Sequence, residues 1–165
     1  MDTPSVKIGD SRETGAPGRR VLAVAAWRTE DRELRALLGQ LKELVPCEFD
    51  ILNLDSPTAA RYRSSSRPLY DRIRRYDAVV FAVCGRDGAA SPVLQLPDGS
   101  LPALRCLARR IPAAYITDGE VSKGLEAAAA DHARAWRLRS VGVASDKGGD
   151  EIRDLAAALR NSINL

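Results

Sequence analysis

Three short segments carry the residue types that hold anions or flat rings. In the first, Arg28 and Thr29 follow an apolar run and precede Glu30, Asp31 and Arg32. An arginine fork and a hydroxyl suit a phosphate, whereas the two carboxylates repel one. The plainer reading is that Thr29 or the Glu30–Asp31 pair caps the following helix and complements its dipole. The second segment, Cys84-Gly85-Arg86-Asp87-Gly88, runs on to Pro92. Its glycines either let the backbone approach a flat ligand or form an ordinary turn with Asp87-Gly88 at its tip. The third, Thr117-Asp118-Gly119-Glu120, has the same two readings. Trp27, at the edge of the first segment, is placed to stack on a ring or to plug the site.

Other residue types narrow the chemistry. The single histidine, His132, rules out a multi-histidine metal site, and no Cys or Asp/Glu cluster replaces one. It shares an apolar stripe with Trp136 and reads as a packing residue. Cys47, Cys84 and Cys106 are an odd number at no metal-like spacing. Two lie in apolar segments, as reduced core thiols of a cytoplasmic protein do. There are 21 Arg and 4 Lys, yet the formal net charge of +3 is too small to argue for nucleic acid. Arg61, Arg63, Arg67, Arg72, Arg74 and Arg75, with Tyr62 and Tyr70 among them, form either a solvated face or a patch for an anion or acidic partner.

The elements that position these segments alternate. Residues 1–18 are polar, lack any period and read as a disordered tail; the domain is expected over 19–165. The apolar run from Val21 to Ala26 predicts a strand buried on both faces. Leu34, Leu37, Leu38, Leu41, Leu44 and Val45 predict an amphipathic helix that Pro46 ends. An edge strand from Glu48 to Leu54, a polar loop over 55–66 and a short helix from Pro68 to Tyr76 follow. The most apolar run, Ala78 to Val83, predicts the central strand. A long loop over 85–100 precedes a helix from Leu101 to Arg110 and a fourth strand from Ala113 to Ile116. A helix through Leu125, Ala129, His132 and Trp136, a fifth strand from Ser140 to Ala144 and a closing helix from Ile152 to Ile163 complete the chain. Strict alternation of this kind predicts a doubly wound α/β domain with a five-stranded parallel sheet in the flavodoxin-like order 2-1-3-4-5. In such sheets ligands bind beyond the carboxyl ends of the strands, where the three segments fall.

Several classes are excluded on motif. The third strand ends Phe81-Ala82-Val83-Cys84, without the aspartate that a phosphorelay receiver needs. No G-x-G-x-x-G follows Val24, and neither a G-x-x-x-x-G-K-[ST] nor a G-x-S-x-G occurs. No apolar run approaches the roughly 20 residues of a membrane span, and residues 1–20 lack the apolar core of a secretory signal. A cytoplasmic location, with no membrane or nucleic-acid partner, is the expectation.

The layout and several residues resemble the NADPH-dependent FMN reductase family, within the flavodoxin-like superfamily. That family's first loop, G-S-x-R-x-x-S-x-N, binds the flavin phosphate. Ala26-Trp27-Arg28-Thr29-Glu30-Asp31-Arg32-Glu33 stands at its place with one residue deleted. Arg28 matches the arginine, Asp31 occupies the position of a phosphate-binding serine, and Glu33 that of the asparagine. In the second loop, P-E-Y-N-G-S-x-P-G-x-L-K-N, Asp87-Gly88-Ala89 and Val93-Leu94-Gln95 follow the pattern loosely. Gly85 and Arg86 lie near the flavin-contacting E-Y pair, and Gly119 and Gly124 remain of the glycine-rich third loop. The resemblance implies a flavoprotein oxidoreductase that binds FMN, takes hydride from NADPH and passes it to a small-molecule acceptor. Trp27, Arg28, Thr29 and the amides near Asp31 would hold the phosphate. Gly85, Arg86, Asp87 and Gly88 would line the isoalloxazine, and Thr117, Asp118 and Gly119 would close its far side. It also implies a homodimer, paired here through the His132–Trp136 stripe or the helix near Leu101–Leu107. Trp27, Asp31 and Glu33 motivate a second reading: a flavodoxin-like domain that has lost FMN and binds another small molecule or a protein partner.

Overall fold

The computed structural model describes residues 18–99, 110–147 and 150–164. The expected tail, the helix from Leu101 with its dimer role, and Cys106 therefore lie outside the described residues, apart from Gly18 and Arg110 at their ends. Five parallel strands form one sheet in the order β2-β1-β3-β4-β5. They are β1 (Arg20–Ala25), β2 (Glu48–Asn53), β3 (Ala78–Val83), β4 (Pro112–Thr117) and β5 (Arg139–Ser145). Among the described residues, five α-helices connect and close it: α1 (Arg32–Leu44), α2 (Ala60–Ser64), α3 (Ser66–Ile73), α4 (Lys123–Ala135) and α5 (Glu151–Ser162).

The three central strands are apolar apart from Arg20 at the start of β1 and Thr117 at the end of β4, because helices cover both of their faces. One core packs Leu22, Val24, Phe81 and Tyr115 against α2, α3 and α4; the other packs Val21, Ala23, Val80 and Ile116 against α1 and α5. Leu34, Leu37, Leu38 and Leu41 of α1 recur at helical spacing and are buried in the second core. Each contributes roughly 1.5–3 kcal/mol by leaving water. The edge strands β2 and β5 are partly exposed, as their mixed composition requires. At β5 the register skips a residue: Ala113 pairs with Ser140 and Ala114 with Gly142, which leaves Val141 as a bulge. Gly142 has φ +140°, a value that L side chains rarely adopt.

Two expectations need correction. The polar segment over 55–66 is not all loop. A 3-10 turn at Pro57–Ala59, capped by the Ser56 hydroxyl, leads into α2, because Ala59 and Tyr62 supply an apolar side that docks on the first core. The His132–Trp136 stripe is not a surface for pairing. His132 is 1% and Trp136 5% exposed, turned inward against Phe81 and Tyr115. The Tyr115 hydroxyl and His132 Nδ1 share a hydrogen bond of 2.8 Å, and Trp136 donates its Nε1–H to the carbonyl of Gln95 at 3.0 Å. The expected homodimer has no surface there.

Candidate functional site

The loops after β1, β3 and β4 meet at the carboxyl edge of the sheet, and they are fastened to one another. Asp31, at the N-terminus of α1, is only 5% exposed. Its side chain makes no cap bond to the helix, so the expected capping role is not what it does. Its Oδ2 instead accepts the backbone N–H of Arg28 at 2.7 Å. The Arg86 guanidinium closes on both carboxylate oxygens, Nη1 on Oδ1 and Nη2 on Oδ2 at 3.2 Å. This is the two-pronged geometry that makes arginine–carboxylate pairs strong. The bond from Arg86, with help from the Arg28 amide, outweighs burial and holds the Asp31 carboxyl down at about 2. The same bond raises Arg86 above its ordinary range. Cys84 lies beneath the pair, its Sγ 3.5 Å from Asp31 Oδ2. Burial, then the neighbouring carboxylate, pushes its thiol up to about 12.

Two further latches continue along the edge. Asp118 Oδ1 accepts the N–H of Gly85 at 2.5 Å, joining the third loop to the second. The Ser145 hydroxyl at the end of β5 donates to the carbonyl of Gly119. Thr117 is buried and its Oγ1 accepts the Gly119 N–H at 3.2 Å. The Gly85 and Gly119 backbones touch: a Cβ on Gly85 would stand 2.6 Å from the Gly119 nitrogen. Only glycine at both positions allows this approach. Asp87 and Gly88 form a turn against the Cys84 carbonyl, and Gly88 has φ +53°.

The remaining candidates separate into two groups. Arg28 and Thr29 are exposed at the mouth of the first loop. Trp27 is not at the mouth. It is 8% exposed within the α1–α5 core, with the Arg35 guanidinium 5.3 Å above its ring. Asn53, at the end of β2, holds the Trp27 peptide from both sides, accepting its N–H at 3.1 Å and donating to its carbonyl at 3.2 Å. Neither Asn53 nor Ser145 stood out in the sequence. The available signal was position: each is polar at the carboxyl end of a strand beside a candidate loop.

FMN can be tested against this geometry. A phosphate held by the first loop would sit beside the Asp31 carboxylate, where each unit of like charge at 4 Å costs about 4 kcal/mol at an effective dielectric of 20. The Arg28 amide and the Arg86 fork that would answer its charge already serve Asp31. A flat ring between the second and third loops needs roughly 7 Å, twice the carbon contact distance. The touching Gly85 and Gly119 backbones leave no such gap where the two loops leave their strands. As these loops stand, the residues do not fit FMN.

No family model matches the chain, and no curated protein matches it. Solved structures do. A flavodoxin from the domain Archaea superposes with a TM-score of 0.50 at 10% identity, covering 88% of this chain and 99% of that one. The two-electron reduced flavodoxin of Megasphaera elsdenii gives 0.48 at 9% identity, over 87% and 99% of the two chains. General stress protein 14 of Treponema denticola, in complex with FMN, gives 0.40 at 10%, over 88% and 96%. Identities this low speak for architecture alone; the archaeal flavodoxin, with the strand order β2-β1-β3-β4-β5, establishes that the chain has a flavodoxin-like fold.

Proposed function

We propose that this domain is a binding module that works without flavin, for a small molecule or a protein partner. The observation that carries the reading is the Asp31 carboxylate. It lies inside the first loop, takes the Arg28 amide and is clasped by Arg86, so an internal anion stands where a flavin phosphate would be held. The contact between Gly85 and Gly119 supports it by closing the ring's expected slot. The test is a titration of the purified protein with FMN, followed by flavin fluorescence. The wild type is expected to come through purification colourless and to leave the fluorescence unchanged. Asp31→Ser is expected to gain FMN affinity by about tenfold or more, since it removes the like charge. A yellow wild-type protein, or tight FMN binding that Asp31→Ser does not alter, would sink this reading.

One observation favours a second reading, that of an NADPH-dependent FMN reductase. All three loops converge on the sheet edge where this fold takes ligands, with Arg28 and Thr29 exposed at the N-terminus of α1. In that case the clasp opens and Arg86 swings away. Arg28, Thr29 and the freed amides hold the phosphate, and FMN supplies the hydride chemistry. NADPH oxidation that depends on added FMN and on Arg28 would establish it.

A further inference from the structure

A pocket of about 560 Å³ lies against the β2 edge, between α2, α3 and the start of β1, and shares no residue with the Asp31–Arg86 clasp. Five arginines face it, Arg20, Arg61, Arg67, Arg72 and Arg75, against two aspartates, Asp50 and Asp71. The aspartates are already engaged. Asp50 accepts from Arg20 at 2.5 Å and from the Tyr76 hydroxyl at 2.6 Å, and Asp71 pairs with Arg67 at 3.2 Å. That leaves Arg61, Arg72 and Arg75 without a carboxylate partner among the described residues.

Arg61 and Arg72 converge on one neutral atom. The Tyr62 phenol oxygen accepts from Arg61 Nη2 at 2.7 Å and from Arg72 Nη1 at 3.3 Å. Both guanidiniums also lie over the Tyr62 ring, at 4.8 and 5.7 Å. Tyr62 itself is buried. Burial pushes its phenol up, but Arg72 and Arg61 outweigh burial and make it more acidic than an ordinary tyrosine. Since an arginine only donates, the phenol's own proton has no acceptor from either neighbour. Two forks and one hydroxyl thus meet at the wall of a concave space whose two carboxylates, Asp50 and Asp71, are already engaged by Arg20, Tyr76 and Arg67, while Arg72 also reaches Tyr76 and feels the charge of Asp50.

We propose that this pocket binds a small phosphate-bearing anion, held by Arg61 and Arg72, with the Tyr62 hydroxyl donating to it and Arg75 adding charge. Phosphate suits planar forks that bind two oxygens at once. A pocket of about 560 Å³ bounded by α2, α3 and the starts of two strands has room for a compact ligand. The proposal holds whether the clasp admits FMN or not.

The experiment is calorimetric titration of the full chain with inorganic pyrophosphate, paired with an alkaline titration of tyrosinate absorbance. The wild type is expected to bind saturably, one anion per chain, and pyrophosphate is expected to move a tyrosine ionisation to higher pH. Arg72→Gln, Arg61→Gln and Tyr62→Phe are each expected to lose about tenfold or more in affinity. Arg61 is exposed, so its variant tests the site even if Arg72→Gln fails to fold. Arg153→Gln, an equal charge change on α5, is expected to bind as the wild type does. No saturation at millimolar pyrophosphate would overturn the proposal, as would an equal loss in Arg153→Gln, which would show general charge attraction. A greater affinity for a single-stranded oligonucleotide than for pyrophosphate would assign the patch to nucleic acid instead.

Discussion

Asp31 and Arg86 replace, within one chain, the anion and the cation that a phosphate site would share with its ligand. Their pairing has a measurable signature in acid. The Asp31 carboxyl is held at about 2 against an ordinary 3.8, so the folded state binds its proton less readily than the unfolded chain. Its stabilising effect is complete above the ordinary value and is lost as pH falls from there toward 2. Asp31→Asn is expected to flatten that part of the stability curve, measured by urea unfolding across pH, and to cost about 1–2 kcal/mol at neutral pH. Cys84 gives a second residue-level outcome. Its thiol lies buried under Asp31 and is pushed up to about 12, so a thiol reagent at mildly alkaline pH is expected to leave it unlabelled until the protein unfolds. At this scale the sequence was only partly readable. Asp31 was visible as the residue out of place in the first loop. Its partner was not, because Arg86 is 55 positions away and meets it only when β1 and β3 pair.

Elements were legible where a period or an apolar run could write them. The leucines of α1, the apolar β1 and β3 and the Ser122-capped α4 fall where their patterns put them, since burial on one or two faces leaves a direct trace in composition. The short α2 was missed because its five residues include only Tyr62 as a large apolar side chain, too few to show a helical stripe. Glycines test the elements at their contacts. Gly85→Ala places a methyl 2.6 Å from the Gly119 nitrogen, backbone against backbone, whereas at Gly88 a Cβ meets open space. Gly85→Ala is therefore expected to lower the thermal midpoint more than Gly88→Ala, which bears only the cost of φ +53°. Gly142→Ala combines φ +140° with a Cβ contact of 3.3 Å to Leu155 and is expected to cost about 1–3 kcal/mol. Differential scanning calorimetry of the three variants ranks them, and a Gly85→Ala protein as stable as the wild type would mean the two loops part easily.

For the whole molecule, strand order followed from alternation and from the apolar rank of β3, and the structure has that order. The stripe of His132 and Trp136 packs inward, as its reading as packing residues has it; a pairing surface was the alternative because an apolar stripe reads the same whether it faces a second copy or the chain's own sheet. Trp136→Ala is expected to destabilise the isolated chain by about 3–5 kcal/mol, the cost of a large core truncation. Chemical denaturation measures this directly, and an unchanged stability would return Trp136 to the surface. His132, on the same inward stripe, sets a property of the entire chain. Burial beside Tyr115 holds its ring at about 4, well under the ordinary 6.5, so folding excludes its proton and stability should decline as pH falls from 6.5 toward 4. His132 is the only imidazole in the sequence, and imidazole is the side chain whose ordinary titration falls between about pH 5 and 8. With that ring kept neutral, no imidazole alters the protein's electrostatic face between a neutral and a mildly acidic compartment. A ligand drawn by its arginines would meet the same attraction in both, and any pH response of binding across that span would have to come from the ligand's own ionisation.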